Sequence, residues 1–330
     1  MSRRLLALSR VRLSLLAGLL TSVAAGATTA ETLAQPTLNA LERSAASYIE
    51  YRQDVTALET VVFKDPEITR DAHRRLAAHD PKAISAGFIA YAALVAADTP
   101  EFAEAIKTEM QKKKNRRRNE LGGRDGLLSN MAQDFSFLRS LDGADMAVTN
   151  VLAMTAKDGA RITSLGETFK SQAYAMQKTK WGKKRIAASQ SRIQEADAYS
   201  DERGEPSMPD FEHRMDNGVM VPTLASESGA WSASWGETAP AGTMRQANAA
   251  AMMDRILSLA ARYATESLNE KLVSVYSRDK KSENCLSLSK LTLNQCIAAT
   301  RTPYEEAFCL GEHGLNDVAT CVGWIGDIGS

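Results

Sequence analysis

The sequence predicts an all-α protein with one irregular insertion. Alanine, leucine, lysine, arginine and glutamate dominate its 330 residues, and residues that start and stop helices recur along the chain. Apolar positions return every three or four residues in several segments, as one buried helix face requires. No repeat of fixed length is visible, so a regular solenoid is disfavoured. The predicted fold is an irregular helical array that ends in a disulfide-bonded helical hairpin.

The N-terminus predicts export. An apolar run at residues 13–27 ends in small residues, with Ala27 or Ala30 suited to the cleavage site. The run is shorter than the about 20 apolar residues that span a bilayer, so residues 1–27 are predicted to be a cleaved signal peptide. Export through the Sec or the twin-arginine route stays open. The cations that precede the run are Arg3, Arg4, Arg10 and Arg12.

Cleavage changes the charge of the chain. The precursor carries 40 basic and 40 acidic residues, and loss of four arginines leaves a mature protein with about four net negative charges. A mildly acidic exported protein has no general attraction for nucleic acid. The most apolar remaining stretch, residues 83–97, is short and predicts a core helix. We therefore expect a periplasmic or secreted protein without a transmembrane anchor.

The mature chain, residues 28–330, is predicted to form one domain with three regions. These are an N-terminal helical region at 28–198, an irregular insertion at 199–242, and a C-terminal region at 243–330. Thr99 and Pro100 are typical of a helix start, and Gly122-Gly123 of a helix end. Further helices are predicted at residues 37–60, 66–79, 82–97, 125–141, 144–157, 161–198 and 243–277.

Two basic runs are candidate binding sites for an anionic polymer. They are "KKKNRRR" at residues 112–118 and "KTKWGKKR" at residues 178–185, which includes Trp181. The alternative is that the first run simply sits at the C-terminal end of a helix, where the macrodipole stabilises cations. The candidate residues of the first run are Lys112, Lys113, Lys114, Arg116, Arg117 and Arg118.

The insertion at 199–242 is rich in glycine, proline and serine and lacks helical periodicity. It predicts either a long loop or a hairpin, because "GVMVPTL" and "GAWSASW" both alternate and "ASESG" between them suits a turn. Pro222 restricts its strand to a sheet edge. Trp231 and Trp235 would lie on one face and form a platform for a sugar ring or a peptide. The alternative is that both indoles pin the loop against the helices.

Acidic residues in the insertion raise a second possibility, glycan hydrolysis by paired carboxylates. The weak catalytic candidates are Glu227, Glu237 and Asp210. Glu227-Ser228 resembles the catalytic Glu-Ser pair of lytic transglycosylases, but the Gly-Leu-Met-Gln type of stretch that follows in those enzymes is absent. His213 lies three residues from both Asp210 and Asp216, yet a metal site needs several converging ligands, so solvated loop residues are preferred. No metal or cofactor is predicted.

All four cysteines lie near the C-terminus, and an exported chain favours two disulfides. Cys285 and Cys296 are eleven residues apart, about three helical turns, so both project from one side of a helix. A turn and a returning helix favour the nested pairs Cys285-Cys321 and Cys296-Cys309. This arrangement resembles twin-cysteine helical hairpins in its geometry.

A rival pairing joins Cys309 to Cys321. It requires the first helix to be absent, because helical Cys285 and Cys296 would lie about 16 Å apart. A capping box at Thr302-Pro303-Tyr304-Glu305 predicts the start of the returning helix. That helix is expected to break before Cys321, at Gly311, Gly314 and Asn316.

The sequence thus favours a non-catalytic binding or structural protein of the bacterial cell envelope. Gly-x-Ser-x-Gly, His-Glu-x-x-His, Cys-x-x-Cys and phosphate-binding glycine loops are all missing from the sequence. The expected partner is an anionic or glycan envelope polymer or another envelope protein, with no nucleic acid. The alternative is a hydrolase of peptidoglycan or another glycan that uses acids of the 210–237 loop.

Overall fold

The computed structural model describes residues 39–116, 132, 134–186, 188–204, 211–216, 219–224 and 247–323. These residues are mostly helical. The helices in chain order are α1 Ala40–Leu58, α2 Pro66–Ala77, α3 Pro81–Ala97, α4 Pro100–Arg116, α5 Phe135–Arg139, α6 Ala144–Met176, α7 Ser189–Arg203, α8 Ala247–Ala264, α9 Glu270–Tyr276, α10 Lys280–Ala299, α11 Pro303–Cys309, a π-helix Leu310–Asn316 and α12 Asp317–Gly323.

Helices α1, α2 and α3 each begin directly after a residue whose side chain caps the helix N-terminus. Asn39 caps α1 and forms a capping box with Glu42, whose carboxylate accepts the Asn39 backbone N–H at 3.0 Å. Asp65 and Asp80 cap α2 and α3, and each is followed by a proline at the first helical position. These caps satisfy backbone donors that would otherwise lack partners and so fix the helix boundaries.

The centre of the fold is α3, which has an apolar surface almost all around. Its residues from Phe88 to Ala97 are all buried, and α1, α6, α8 and α10 pack around it. The prediction of a core helix at residues 83–97 is confirmed. At Gly87 the backbones of α1 and α3 touch, because an added Cβ would stand 2.7 Å from the Tyr48 nitrogen. Only glycine permits this close approach without displacing α1.

Membrane-spanning helices were sought in the part of the chain that the structure describes. No individual helix there combines the length and apolarity needed to cross a bilayer. Residues 81–97 and 100–112 meet the criteria only as a pair, with an 80° bend between them.

Helix α6 runs unbroken for 33 residues, whereas the sequence predicts two helices at 144–157 and 161–198. Asp158 and Gly159 suggest a break between them, but the structure buries the Asp158 carboxylate among charged and polar partners inside the fold. The helix then ends at Met176, well before residue 198, in a turn that contacts the C-terminal hairpin. The prediction of one helix at 243–277 is also wrong.

Helix α8 stops at Ala264 because Glu266 adopts a left-handed backbone with φ of 54°. The hydroxyl groups of Thr265 and Ser267 bond to the Arg262 carbonyl and close the end of α8. A new helix, α9, begins after the Asn269 cap.

Part of the insertion forms two antiparallel strands, β1 Phe211–Asp216 and β2 Val219–Leu224. The pairing differs from the predicted hairpin, which joined "GVMVPTL" to "GAWSASW"; the second of these segments lies outside the described residues. The register places His213 opposite Pro222. Both strands of a two-stranded sheet are edges, where proline is tolerated.

A buried ion pair ties α1 to α6. The Arg52 Nε lies 3.2 Å from the Asp158 Oδ2, and the Tyr48 hydroxyl donates to the same oxygen at 2.8 Å. The two charged side chains are 3% and 1% exposed. Burial raises the pKa of the Asp158 carboxyl, and the Arg52 charge opposes this rise. The Tyr91 ring stacks 4.7 Å from the Arg52 guanidinium and completes the enclosure.

We predict that Asp158→Asn lowers the free energy of unfolding by about 3 to 5 kcal/mol, because it leaves the Arg52 charge buried without its counter-ion. Urea denaturation of the mature protein measures the change. The control is Lys157→Gln, which removes an exposed charge at the preceding position and should change stability by less than about 0.5 kcal/mol. Equal effects for the two variants would contradict the stabilising role of the pair.

Candidate binding surface at the disulfide-bonded hairpin

Two disulfides close the C-terminal hairpin. Cys285 bonds to Cys321 and Cys296 bonds to Cys309, with Cα separations of 5.6 and 5.7 Å. The nested pairing is therefore the one observed. Each bridge contributes about 2 to 4 kcal/mol by restricting the unfolded chain.

The returning helix does not break at Gly311, Gly314 and Asn316, contrary to the sequence prediction. It continues from Pro303 to Gly323 through the π-helix. The cysteine spacing explains the π-segment. Cys309 and Cys321 are twelve residues apart, whereas the two cysteines of α10 are eleven residues, or about three α-helical turns, apart. A π-turn holds an additional residue, so both cysteines of the returning helix can face α10.

Glycine allows this hairpin to lie directly on α6. A Cβ added to Gly311 would stand 2.6 Å from the Gly166 carbonyl oxygen, and one added to Gly166 would stand 2.8 Å from the Gly311 oxygen. Polar contacts flank the crossing. The Lys170 ammonium lies 2.7 Å from the Glu312 carboxylate, and the Asn316 amide donates to Glu167 at 2.8 Å. These contacts fix the π-helix against residues 166–170 of α6.

A second buried ion pair holds the hairpin to α2 and α7. The Arg192 guanidinium donates to Glu306 at 2.6 Å and to the Thr300 hydroxyl at 2.7 Å, and the Thr69 hydroxyl also donates to Glu306 at 3.1 Å. Burial raises the pKa of Glu306, and Arg192 opposes this effect. Burial, together with the nearby Arg192 charge, lowers the pKa of His73 to about 4. His73 therefore stays neutral at physiological pH.

The turn between α6 and α7 rests on this hairpin. We call residues 178–185 the basic turn. The Gly182 carbonyl accepts the Tyr304 N–H at 3.4 Å, and the Ile186 N–H donates to the Arg301 carbonyl at 3.0 Å. Gly182 itself is confined, because an added Cβ would stand 2.1 Å from the Met176 carbonyl oxygen. The basic run is thus part of a fixed turn and does not continue the helix that the sequence predicts.

The cations of the basic turn face solvent. All five side chains are exposed, and no described carboxylate lies within ion-pair distance of them. Trp181, predicted as a binding residue, is half-buried and packs against the hydrophobic core. It anchors the turn. The exposed cations are Lys178, Lys180, Lys183, Lys184 and Arg185.

An apolar groove of about 300 Å³ lies beside the basic turn. Tyr174 and Phe308 form one wall with ring centroids 6.1 Å apart, and Tyr304 also lines the groove. Gln177, the last lining residue of the α6 end, directly precedes the basic turn. Sequence reasoning missed these three aromatic residues. The four-residue spacing of Tyr304 and Phe308 was the available signal, but it cannot show that Tyr174 from α6 meets them.

A third charged cluster, around Asp54, is largely enclosed. The Asp54 carboxylate lies 2.7 Å from the His79 Nε2 and accepts two contacts from Arg203, each at 2.7 Å. Burial opposes ionisation of Asp54, but His79 and Arg203 outweigh it and hold the carboxyl pKa below its ordinary value. Asp54 and His79 are about 5% exposed. Within the described residues, no group of three or more metal-ligating side chains is placed to hold an ion.

The other predicted site residues are only partly described. Lys112 is exposed and lies 2.8 Å from Glu109 on the same helix. Lys113, Lys114 and Arg116 lie on α4, whose described residues run to Arg116. The candidates that lie outside the described residues are Arg117, Arg118, Asp210, Glu227, Trp231, Trp235 and Glu237.

Comparison with known proteins gives no relative. No family model, curated protein or solved structure matches the chain.

We predict that Gly311→Ala destabilises the protein by about 1 to 3 kcal/mol, because its methyl group would meet the Gly166 backbone. Gly314→Ala is the matched control. It lies in the same π-helix, but its added Cβ would approach neighbouring atoms no closer than 3.6 Å. Thermal unfolding should place the control at or above the wild type, since alanine favours a helix by about 1 kcal/mol. A Gly311→Ala protein as stable as the control would contradict the close crossing.

Proposed function

We propose that the protein is an exported, non-catalytic binding protein of the bacterial cell envelope, and that the basic turn binds an anionic component there. The observation that carries the proposal is a set of exposed cations, without carboxylate partners among the described residues, on a turn fixed to the disulfide-bonded hairpin. Two disulfides fit an oxidising environment outside the cytoplasm. The signal-like N-terminus supports the same location.

The arrangement of charge favours a specific contact over a general attraction. The mature chain is acidic overall, so five cations within eight residues form a local positive field on a negative protein. Cations with carboxylate partners gain little from a further anion, whereas the basic-turn cations, which pair with no described carboxylate, suit phosphate or carboxylate groups. Because the turn is fixed by Trp181, Gly182 and Ile186, little chain entropy is lost when a ligand binds.

The buried charge clusters support a structural role. Arg52, Asp158, Arg192 and Glu306 lie inside the fold and bond to one another or to neighbouring polar groups. Buried ion pairs of this kind perturb pKa values without implying catalysis. The glycan hydrolase alternative depends on acids outside the described residues and gains no support from this arrangement.

We predict that the mature protein binds polyphosphate and heparin, two soluble polyanions, with an affinity that falls as salt rises. Replacing Lys178, Lys180, Lys183 and Lys184 with glutamine should weaken binding at least about tenfold and lower the salt slope by about 3. Fluorescence anisotropy of labelled polyphosphate measures both quantities.

The control replaces four scattered exposed lysines with glutamine, so that both variants carry the same net charge. Binding that stays unchanged in the basic-turn variant, or falls equally in the control, would contradict the proposal. A cleared zone on cell-wall zymograms that Glu227→Gln abolishes would support the hydrolase instead. The control lysines are Lys64, Lys82, Lys107 and Lys157.

A further inference from the structure

Three exposed apolar side chains lie on helices that also form the groove. Tyr174 is 58% exposed, and Leu288 and Leu291 on α10 are 60% and 52% exposed. They are three of the six large apolar side chains that stand out as exposed among the described residues. Such side chains are usually scattered, and a group of them indicates an interaction surface.

The leucines share one side of α10 with a residue of the groove. Leu288, Leu291 and Ala299 are separated by three and eight residues, which places them on that side, with the exposed Gln295 between Leu291 and Ala299. Ala299 is exposed and lines the groove. We call Leu288, Leu291, Ala299, Tyr174 and Phe308 the apolar strip.

The basic turn borders the apolar strip. Tyr304 lines the groove and donates its N–H to Gly182 of the turn, and Gln177 joins the groove directly to Lys178. The carboxylate in the groove is already engaged. Glu305 accepts the backbone N–H groups of Arg301 and Thr302 at 2.6 and 3.0 Å as part of the α11 cap.

We propose that this face docks on an anionic phospholipid membrane, with the basic turn on the lipid phosphates and the apolar strip in the boundary between headgroups and acyl chains. The inference rests on the proposed function and names its anionic component. Charge complementarity supports a lipid surface. Lysines beside a groove with an exposed tyrosine, and exposed leucines on a helix of the same groove, match the polar and apolar layers of a membrane interface.

Other kinds of ligand would contact either the basic turn or the apolar strip, but not both. A soluble polyanion would contact the cations and leave two leucines and a tyrosine in water. A neutral apolar ligand would fill the groove and leave five cations without partners. Tyrosine is suited to the interface because its ring is apolar and its hydroxyl is polar. The Cys296-Cys309 bridge lines the groove and keeps its walls together.

Sedimentation with vesicles tests the proposal. The mature protein is mixed with vesicles of phosphatidylcholine alone or of phosphatidylcholine and phosphatidylglycerol in equal parts. We expect binding to the anionic vesicles and little to the neutral ones. The glutamine variant of the basic turn should lose about 1,000-fold in partitioning, from about 1 kcal/mol for each of its four lysines.

The apolar strip is tested separately with Tyr174→Ser, Leu288→Ser and Leu291→Ser combined. Partitioning to anionic vesicles should fall at least about tenfold, because less apolar surface enters the membrane, while polyphosphate affinity stays unchanged. The matched control carries serine at the other three exposed apolar positions and should bind vesicles like the wild type. Those positions are Val62, Met146 and Val275.

The outcomes separate the inference from the proposed function. Polyphosphate binding without vesicle binding, or equal vesicle binding by the strip variant and its control, would overturn the membrane site and leave the anion-binding function standing. Loss of self-association in the strip variant, with vesicle binding unchanged, would assign the strip to a second copy of the chain and also overturn it. Failure to bind either probe would contradict the proposed function.

Discussion

The close crossing of Gly166 and Gly311 is the contact on which the candidate surface depends. Because neither residue has a Cβ, the backbone of the π-helix reaches that of α6, and the hairpin settles at one position along the long helix. The end of α6 and the hairpin then form the aromatic groove together. The chain that follows α6 contacts the connection between α10 and α11 through backbone hydrogen bonds. A wider crossing would separate Tyr174 from Phe308 and the basic turn from Arg301. Helix packing therefore decides whether charge and apolar surface adjoin.

Buried ion pairs select the partners of the long helices. Arg52 with Asp158 joins α1 to α6, and Arg192 with Glu306 joins α7 to α11. Apolar residues of similar size are often as stabilising as such pairs, so their presence is a weak argument for stability alone. An unpaired charge in the interior is costly, however, and arrangements that separate these partners are strongly disfavoured. We interpret both pairs as devices that fix which helices meet, α1 with α6 beside the apolar α3 and α7 with α11 at the hairpin.

The sequence was informative where local chemistry decides the structure. The helix starts at Pro100 and Pro303, the apolar stretch of α3 and the cysteine spacing all predict what the structure contains. It was misleading where tertiary contacts override local preference. Asp158 and Gly159 suggest a break, yet the contact with Arg52 keeps α6 continuous. Gly311 suggests a helix end, yet it is the point of contact with Gly166. The groove was not predictable, since its aromatic residues come from helices separated by more than 100 residues.

The disulfide-bonded hairpin holds the basic turn in place. The Arg301 carbonyl, which accepts the Ile186 N–H, lies inside the loop that Cys296-Cys309 closes. Hydrogen exchange of the Ile186 amide tests the claim most directly, in the wild type and in a protein with both of these cysteines replaced by serine. We expect faster exchange at Ile186 in the variant while the amides of α3 keep their protection. Equal protection of the Ile186 amide in a folded variant would contradict it.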